Sequence, residues 1–138
     1  MYAIETVELT KEYKDVTAVD RLTLQVKKGE LFSLLGVNGA GKTTTIKMLS
    51  CLTRPTRGDA FLNGKSVCKD TAAVKSLIAI SPQETAVAPG LTVNENLELM
   101  CGVYGFAKEQ QKEKIEEQSR LLGLESVMKK KAGKLSGG

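Results

Sequence analysis

The sequence predicts an α/β fold with mixed strands in its first part and helices in its second. Three observations carry that expectation. Residues 31–35, Leu31-Phe32-Ser33-Leu34-Leu35, form an almost continuous apolar run, as expected of a strand buried on both faces. The run ends at Gly36, a glycine-rich loop follows, and a helix-compatible stretch extends from near Gly41 to about Ser50. From Leu91 onward the apolar residues recur at helical spacing.

Taken in order, residues 4–9 and 22–26 read as strands, the second with Leu22, Leu24 and Val26 alternating. Lys27-Lys28-Gly29 is a turn leading into the run at 31–35. In the helix that follows, Ile46 and Leu49 are expected to face inward. Arg54-Pro55 and Arg57-Gly58 break the chain. Residues 60–62 and 65–67 flank Asn63-Gly64, and both of those residues tolerate positive φ, so a hairpin is expected. Residues 77–81 read as another short buried strand and residues 82–90 as a loop. Thr92 with Glu95 fits a capping box. Val93, Leu97, Met100, Cys101 and Tyr104 fall on one helical face. Residues 108–120 read as a charged helix, residues 121–128 are apolar again, and Lys129 to Lys131 with Lys134 read as a solvated charged end.

Composition narrows the function classes. The 138 residues suffice for one ordinary core, and 41% apolar with 26% charged residues is the balance of a soluble globular protein. A net charge of +4 permits an anionic ligand. Nucleic acid is not expected as a partner, because basic tracts interleaved with aromatics are missing. Cys51, Cys68 and Cys101 are far apart and form no CxxC pair, which argues for reduced thiols over a zinc site or disulfide framework. The chain has no histidine, so no histidine base, metal ligand or phosphate sensor operates within these residues. No apolar run approaches the roughly 18 residues that span a bilayer. A membrane, if involved, is supplied by a partner.

Gly36-Val37-Asn38-Gly39-Ala40-Gly41-Lys42-Thr43 satisfies G-x-x-x-x-G-K-[ST], with an apolar strand expected before it and a helix after it. Gly36, Gly39 and Gly41 allow turns barred to residues with a Cβ. Successive N–H groups then form a nest for an anion, and the helix N-terminus adds its partial positive charge. Lys42 is placed to reach the β- and γ-phosphates, Thr43 to offer its hydroxyl to Mg²⁺, and Thr44 to contact the α-phosphate. The expected ligand is ATP with Mg²⁺.

Three further features narrow the class. Tyr13 lies in Lys11-Glu12-Tyr13, upstream of the loop; Gln83 follows residues 77–81; and Leu135-Ser136-Gly137-Gly138 closes the sequence. With the loop, these resemble the ATP-binding cassette (ABC) ATPases over all 138 residues, in the family's order. The resemblance implies a P-loop ABC-type core with an N-terminal antiparallel β part and a helical subdomain, truncated before the Walker B strand. Residues 1–138 would be a partial ATP-binding domain, with the β part, P-loop core and Q-loop in 1–90 and the helical subdomain and signature in 91–138. It implies that Tyr13 stacks on adenine and that Gln83 touches Mg²⁺ or the attacking water. It also implies that Ser136, Gly137 and Gly138 contact the γ-phosphate held by an opposite subunit. Asn38 and Ala40 complete the nucleotide-binding loop, and Thr43 and Gln83 would be the metal contacts.

The function so implied is that of the ATP-binding subunit of an ABC transporter, of exporter type, coupling ATP binding and hydrolysis to transport through a membrane permease. The alternatives are a non-hydrolysing nucleotide-binding fragment, or a soluble cassette protein of translation or repair. About 50 residues separate Gln83 from the signature. That spacing suits a transporter-type subdomain, without the long coiled coil of chromosome-organising relatives. Implied partners are a second cassette and a permease, which would hold the protein in the cytoplasm at the inner membrane. The family's Walker B glutamate and switch histidine fall outside these 138 residues, so binding with little hydrolysis is expected of them. The run at 31–35 would then lack neighbours, with marginal stability or self-association as the expected result.

Overall fold

The computed structural model describes residues 1–82 and 86–136. It divides into two compact units, Met1–Ile80 and Ser81–Gly138. The first is built on an antiparallel sheet with strand order β2-β1-β3-β4. Strands β1 (Tyr2–Tyr13) and β2 (Val16–Lys27) form a long hairpin around Lys14 and Asp15. Helix α1 (Lys42–Leu49) follows, then β3 (Arg57–Leu62), β4 (Lys65–Ser66) and helix α2 (Thr71–Leu77).

The long hairpin is not a regular ladder. Glu8 and Arg21 take left-handed conformations, at φ 45° and 43°, where the β1–β2 register shifts. Two fully buried threonines repair the hydrogen bonding there. Thr6 Oγ1 donates to the Leu22 carbonyl at 2.8 Å and accepts from Leu24 N–H at 3.0 Å. Thr10 Oγ1 donates to the Glu8 carbonyl at 3.0 Å and accepts from Arg21 N–H at 3.0 Å. Backbone groups stranded by the bulges thus find side-chain partners, as buried polar groups must.

Leu9, Val19, Met48, Ala60, Leu62, Val67 and Val74 form the core, drawing on every element of this unit except β4 itself, whose neighbour Val67 contributes. Its effect is to fix α1 against the sheet. The β3–β4 turn is the one expected, with Asn63 at φ 47° and Gly64 at φ 78°.

Three expectations fail here. Residues 31–35 form no strand: Leu31 is 97% and Leu35 88% exposed. A strand needs a ladder partner, and no described segment pairs with this one. In α1, Leu49 packs against the core as expected, but Ile46 is exposed and the buried residues are Thr45 and Met48. Residues 77–81 are not a strand either, because α2 ends at Leu77 and extended chain follows, with Ile80 exposed. Helix α2 itself is too short to show a period in the sequence, and it is anchored by the fully buried Val74.

The second unit holds helices α3 (Val93–Val103) and α4 (Lys108–Leu121), followed by 3₁₀ turns at Glu125–Val127 and Ala132–Lys134. The capping box forms: Glu95 N–H donates to Thr92 Oγ1 at 3.1 Å, and Thr92 N–H donates to Glu95 Oε2 at 2.7 Å. Asn96, buried, accepts from Ala88 N–H at 2.8 Å and donates to the Ala88 carbonyl at 3.1 Å, tying the preceding loop to α3. Of the predicted apolar face Val93 is buried, Leu97 and Cys101 are half-buried, and Met100 and Tyr104 are exposed. No helix among the described residues is long and apolar enough to cross a membrane.

Candidate phosphate-binding site

The loop at residues 36–43 hangs between the extended run and the N-terminus of α1. Its conformation depends on glycine at Gly39 and Gly41, which have φ of 82° and 87°. At Gly41 a second constraint applies. A Cβ there would overlap the Ala18 carbonyl oxygen and come within 3.1 Å of Val19 Cγ2. The loop is therefore pressed against β2, and only glycine fits.

Gly41 caps α1 without a side-chain hydrogen bond, and the first turn carries no acidic residue. In a helix the first N–H groups have no intrahelical acceptor. Here those of Lys42, Thr43 and Thr44 are left for an external anion, next to the positive end of the helix dipole. Helix α3 shows the contrast. Its first donors are already taken, Val93 N–H by the Lys130 carbonyl at 3.0 Å and Asn94 N–H by the Met128 carbonyl at 3.0 Å. A capping box closes the same end. Of these two helix starts, α1 has the open one.

Lys42 folds over the loop and donates from Nζ to the carbonyls of Gly36 at 2.5 Å and Val37 at 2.7 Å. Two of its three protons are thereby used to hold the loop curved, and the third is free. Thr45 Oγ1 donates back to the Gly41 carbonyl at 2.9 Å, so that hydroxyl is structural. The hydroxyls of Thr43 and Thr44 have no partner among the described residues, so both are available for ligand or metal. This donor set suits a triphosphate with Mg²⁺: the open N–H groups at the start of α1, one ammonium, and a free hydroxyl of the kind a hard cation accepts.

Tyr13 ends β1, and its Cα pairs with that of Val16 across the hairpin. Val16 lies two residues before Ala18, against which Gly41 packs. Two strand residues span about 7 Å, so Tyr13 is held a short, fixed distance from the loop by β2. Tyr13 is 45% exposed, and Val16 beside it is 63% exposed. Sequence reading passed over Val16; the signal for it was an apolar residue next to a polar turn, which is weak on its own.

Not every expected site residue joins this group. Gln83, Gly137 and Gly138 lie outside the described residues. Ser136 is exposed and follows the last 3₁₀ turn of the second unit. That unit also has a larger cavity, about 640 Å³, lined by Glu98, Lys108, Lys112 and Glu116 among others. Its alternating charges offer no convergent anion site, and no expected site residue lines it.

Known proteins share this fold. The structure of the ATP-binding subunit of an ABC transporter superposes with a TM-score of 0.82 at 28% identity, over 97% of this chain and 56% of that one. A dimeric bacterial ABC transporter cassette gives 0.80 at 26% identity, over 97% and 63%. The expected fold class is thus the one seen. In sequence the chain is 40% identical over 124 residues to YbhF of Escherichia coli, a probable multidrug ABC transporter ATP-binding protein. It is 38% identical over 135 residues to LnrL of Bacillus subtilis, a linearmycin resistance ATP-binding protein. It covers 90% and 98% of itself in these matches but spans only 22% and 43% of those relatives. The family profile described as ABC transporter matches residues 19–138, and the chain belongs to that family.

Proposed function

We propose that residues 36–44 bind the phosphates of ATP with Mg²⁺, as part of a nucleotide-binding subunit that powers an exporter-type ABC transporter. The observation that carries this reading is the open N-terminus of α1, with Gly41 wedged on β2 and Lys42 poised over the loop.

The residues divide the work by chemistry. On binding, Lys42 exchanges its carbonyl partners for β- and γ-phosphate oxygens, a stronger charge-assisted pairing. The N–H groups of the loop and of the first turn of α1 cradle the remaining oxygens, with Asn38 and Ala40 among the loop residues. Thr43 offers its hydroxyl to the metal, which would neutralise phosphate charge when bound, and Gln83 is the second proposed metal contact. Thr44 takes the α-phosphate. Tyr13 stacks on the base. Ser136, Gly137 and Gly138 are proposed to serve a nucleotide held by a second cassette, in a pair resembling the dimeric cassette. Within this scheme residues 1–90 carry the phosphate loop and Q-loop, and residues 91–138 form the helical subdomain with the signature.

The names of YbhF and LnrL support an export role involving a drug-like compound, with a permease as the membrane partner and a position on the cytoplasmic side of the membrane. The test is calorimetric titration of the chain with ATP, with and without Mg²⁺, in competition with inorganic tripolyphosphate. Competitive, Mg²⁺-enhanced binding supports the reading. Failure of tripolyphosphate to displace ATP would remove the phosphate loop from it.

A further inference from the structure

The aromatic end of the site has a neighbour that the phosphate-binding pattern does not include. Lys11 and Tyr13 are two residues apart at the end of β1. Lys11 is half-buried, and its Nζ lies 5.0 Å from the centroid of the Tyr13 ring. The same ammonium donates to the Arg54 carbonyl at 2.8 Å. Its position is therefore fixed by two partners, one of them backbone. Glu12, between them, is held away by Arg57 through an ion pair of 2.5 Å, so no carboxylate competes for the Lys11 ammonium from that position.

We propose that Lys11 is a positioning residue for purine stacking: it occupies one face of the Tyr13 ring and prepares the other face for the base. The inference rests on the ATP-site reading above. A cation over an aromatic face is attracted to its π cloud and draws that density toward itself. The opposite face becomes less negative, so it repels the π cloud of a stacked purine less. The covered face is closed to the base, which leaves one stacking geometry and removes ring freedom that binding would otherwise have to freeze. Because the ammonium meets only the ring and the Arg54 carbonyl, and no residue of the phosphate loop, its effect belongs to the base and not to the phosphates.

An exposed cation–π contact is worth about 0.5–1 kcal/mol, so loss of Lys11 is expected to weaken ATP binding about 2- to 5-fold. The experiment measures ATP and inorganic tripolyphosphate affinities, with Mg²⁺, for the 138-residue chain and for Lys11→Met, Lys11→Arg, Tyr13→Leu and the Lys11→Met/Tyr13→Leu double variant. Lys11→Met is expected to lose 2- to 5-fold for ATP and nothing for tripolyphosphate. Lys11→Arg, which keeps the cation, should bind ATP as the parent does. In the Tyr13→Leu background Lys11→Met should have no further effect, which is the coupling a double-mutant cycle isolates. Equal weakening for both ligands would make Lys11 a general charge and overturn the proposal. So would an unchanged Lys11→Met, or additive losses in the double variant. If Tyr13→Leu itself binds ATP normally, the stacking reading fails with it. If Tyr13→Leu weakens ATP and Lys11→Met does not, only the role of Lys11 falls.

Discussion

The backbone of Gly41 runs against the carbonyl oxygen of Ala18, so closely that a Cβ at Gly41 would overlap it. This contact joins the phosphate loop to the start of β2, whose first residue, Val16, pairs with Tyr13. One hairpin thus joins the proposed base and phosphate ends of the site. Gly41→Ala is expected to lose both fold and ligand. The left-handed backbone alone costs an alanine about 1–2 kcal/mol, and the overlap adds to it. Urea denaturation checks the first loss and ATP titration the second; a variant with parental stability and affinity would contradict the contact.

Thr6→Val tests the repair of the bulged hairpin. The substitution keeps the shape but removes the hydroxyl shared by the Leu22 carbonyl and Leu24 N–H. Leaving such buried groups unpaired costs about 1–3 kcal/mol. The expected readout is a lower urea midpoint with an unchanged slope.

The carboxylate of Glu95 is held below its ordinary value of 4.5, first by the Thr92 backbone N–H, then by the Thr92 hydroxyl, with Lys131 nearby. A depressed acid stabilises the fold above its unfolded pKa. That stabilisation is lost as pH falls through the lower folded value. The capping box should therefore persist at pH 4.5 and weaken only under more acidic conditions. An NMR titration of the Glu95 side-chain carboxyl checks this, and a midpoint at or above 4.5 would contradict it. Thr92→Ala should destabilise the second unit by about 1 kcal/mol, the usual cost of a lost N-cap.

Burial pushes the Cys68 thiol up, and the hydrogen bond and negative charge of Asp59 add to the effect. Burial raises Cys51 as well, partly offset by Lys75. Both thiols stay protonated to higher pH than free cysteine, and only the thiolate reacts. Iodoacetamide at pH 8.5 should modify both more slowly in the folded chain than in urea, which mass spectrometry of the two peptides resolves.

The parts of the fold that were legible in the sequence are those set by local chemistry. Asn63-Gly64 made its turn because both residues accept positive φ, and Thr92 with Glu95 made its box because three-residue spacing brings them together. In the phosphate loop Gly39 and Gly41 take the positive φ expected of them, whereas Gly36 does not. Residues 31–35 misled, because an apolar run reports a preference for burial and not the presence of the neighbours that provide it. Ile46 misled in a smaller way: which face of a short helix turns inward is decided by the sheet beneath it, here through Met48. The threonine repairs and the Asn96 clamp were not legible, since each depends on a contact between segments far apart in sequence or on a loop whose path no local rule sets.

The central claim is that the open start of α1 binds triphosphate. Its most direct test is calorimetric titration of MgATP into the chain and into Lys42→Ala, with circular dichroism confirming that both are folded alike. A charged hydrogen bond is worth about 1.5–3 kcal/mol, so the variant should bind about 10- to 150-fold more weakly. Equal affinity in the two proteins would contradict the account.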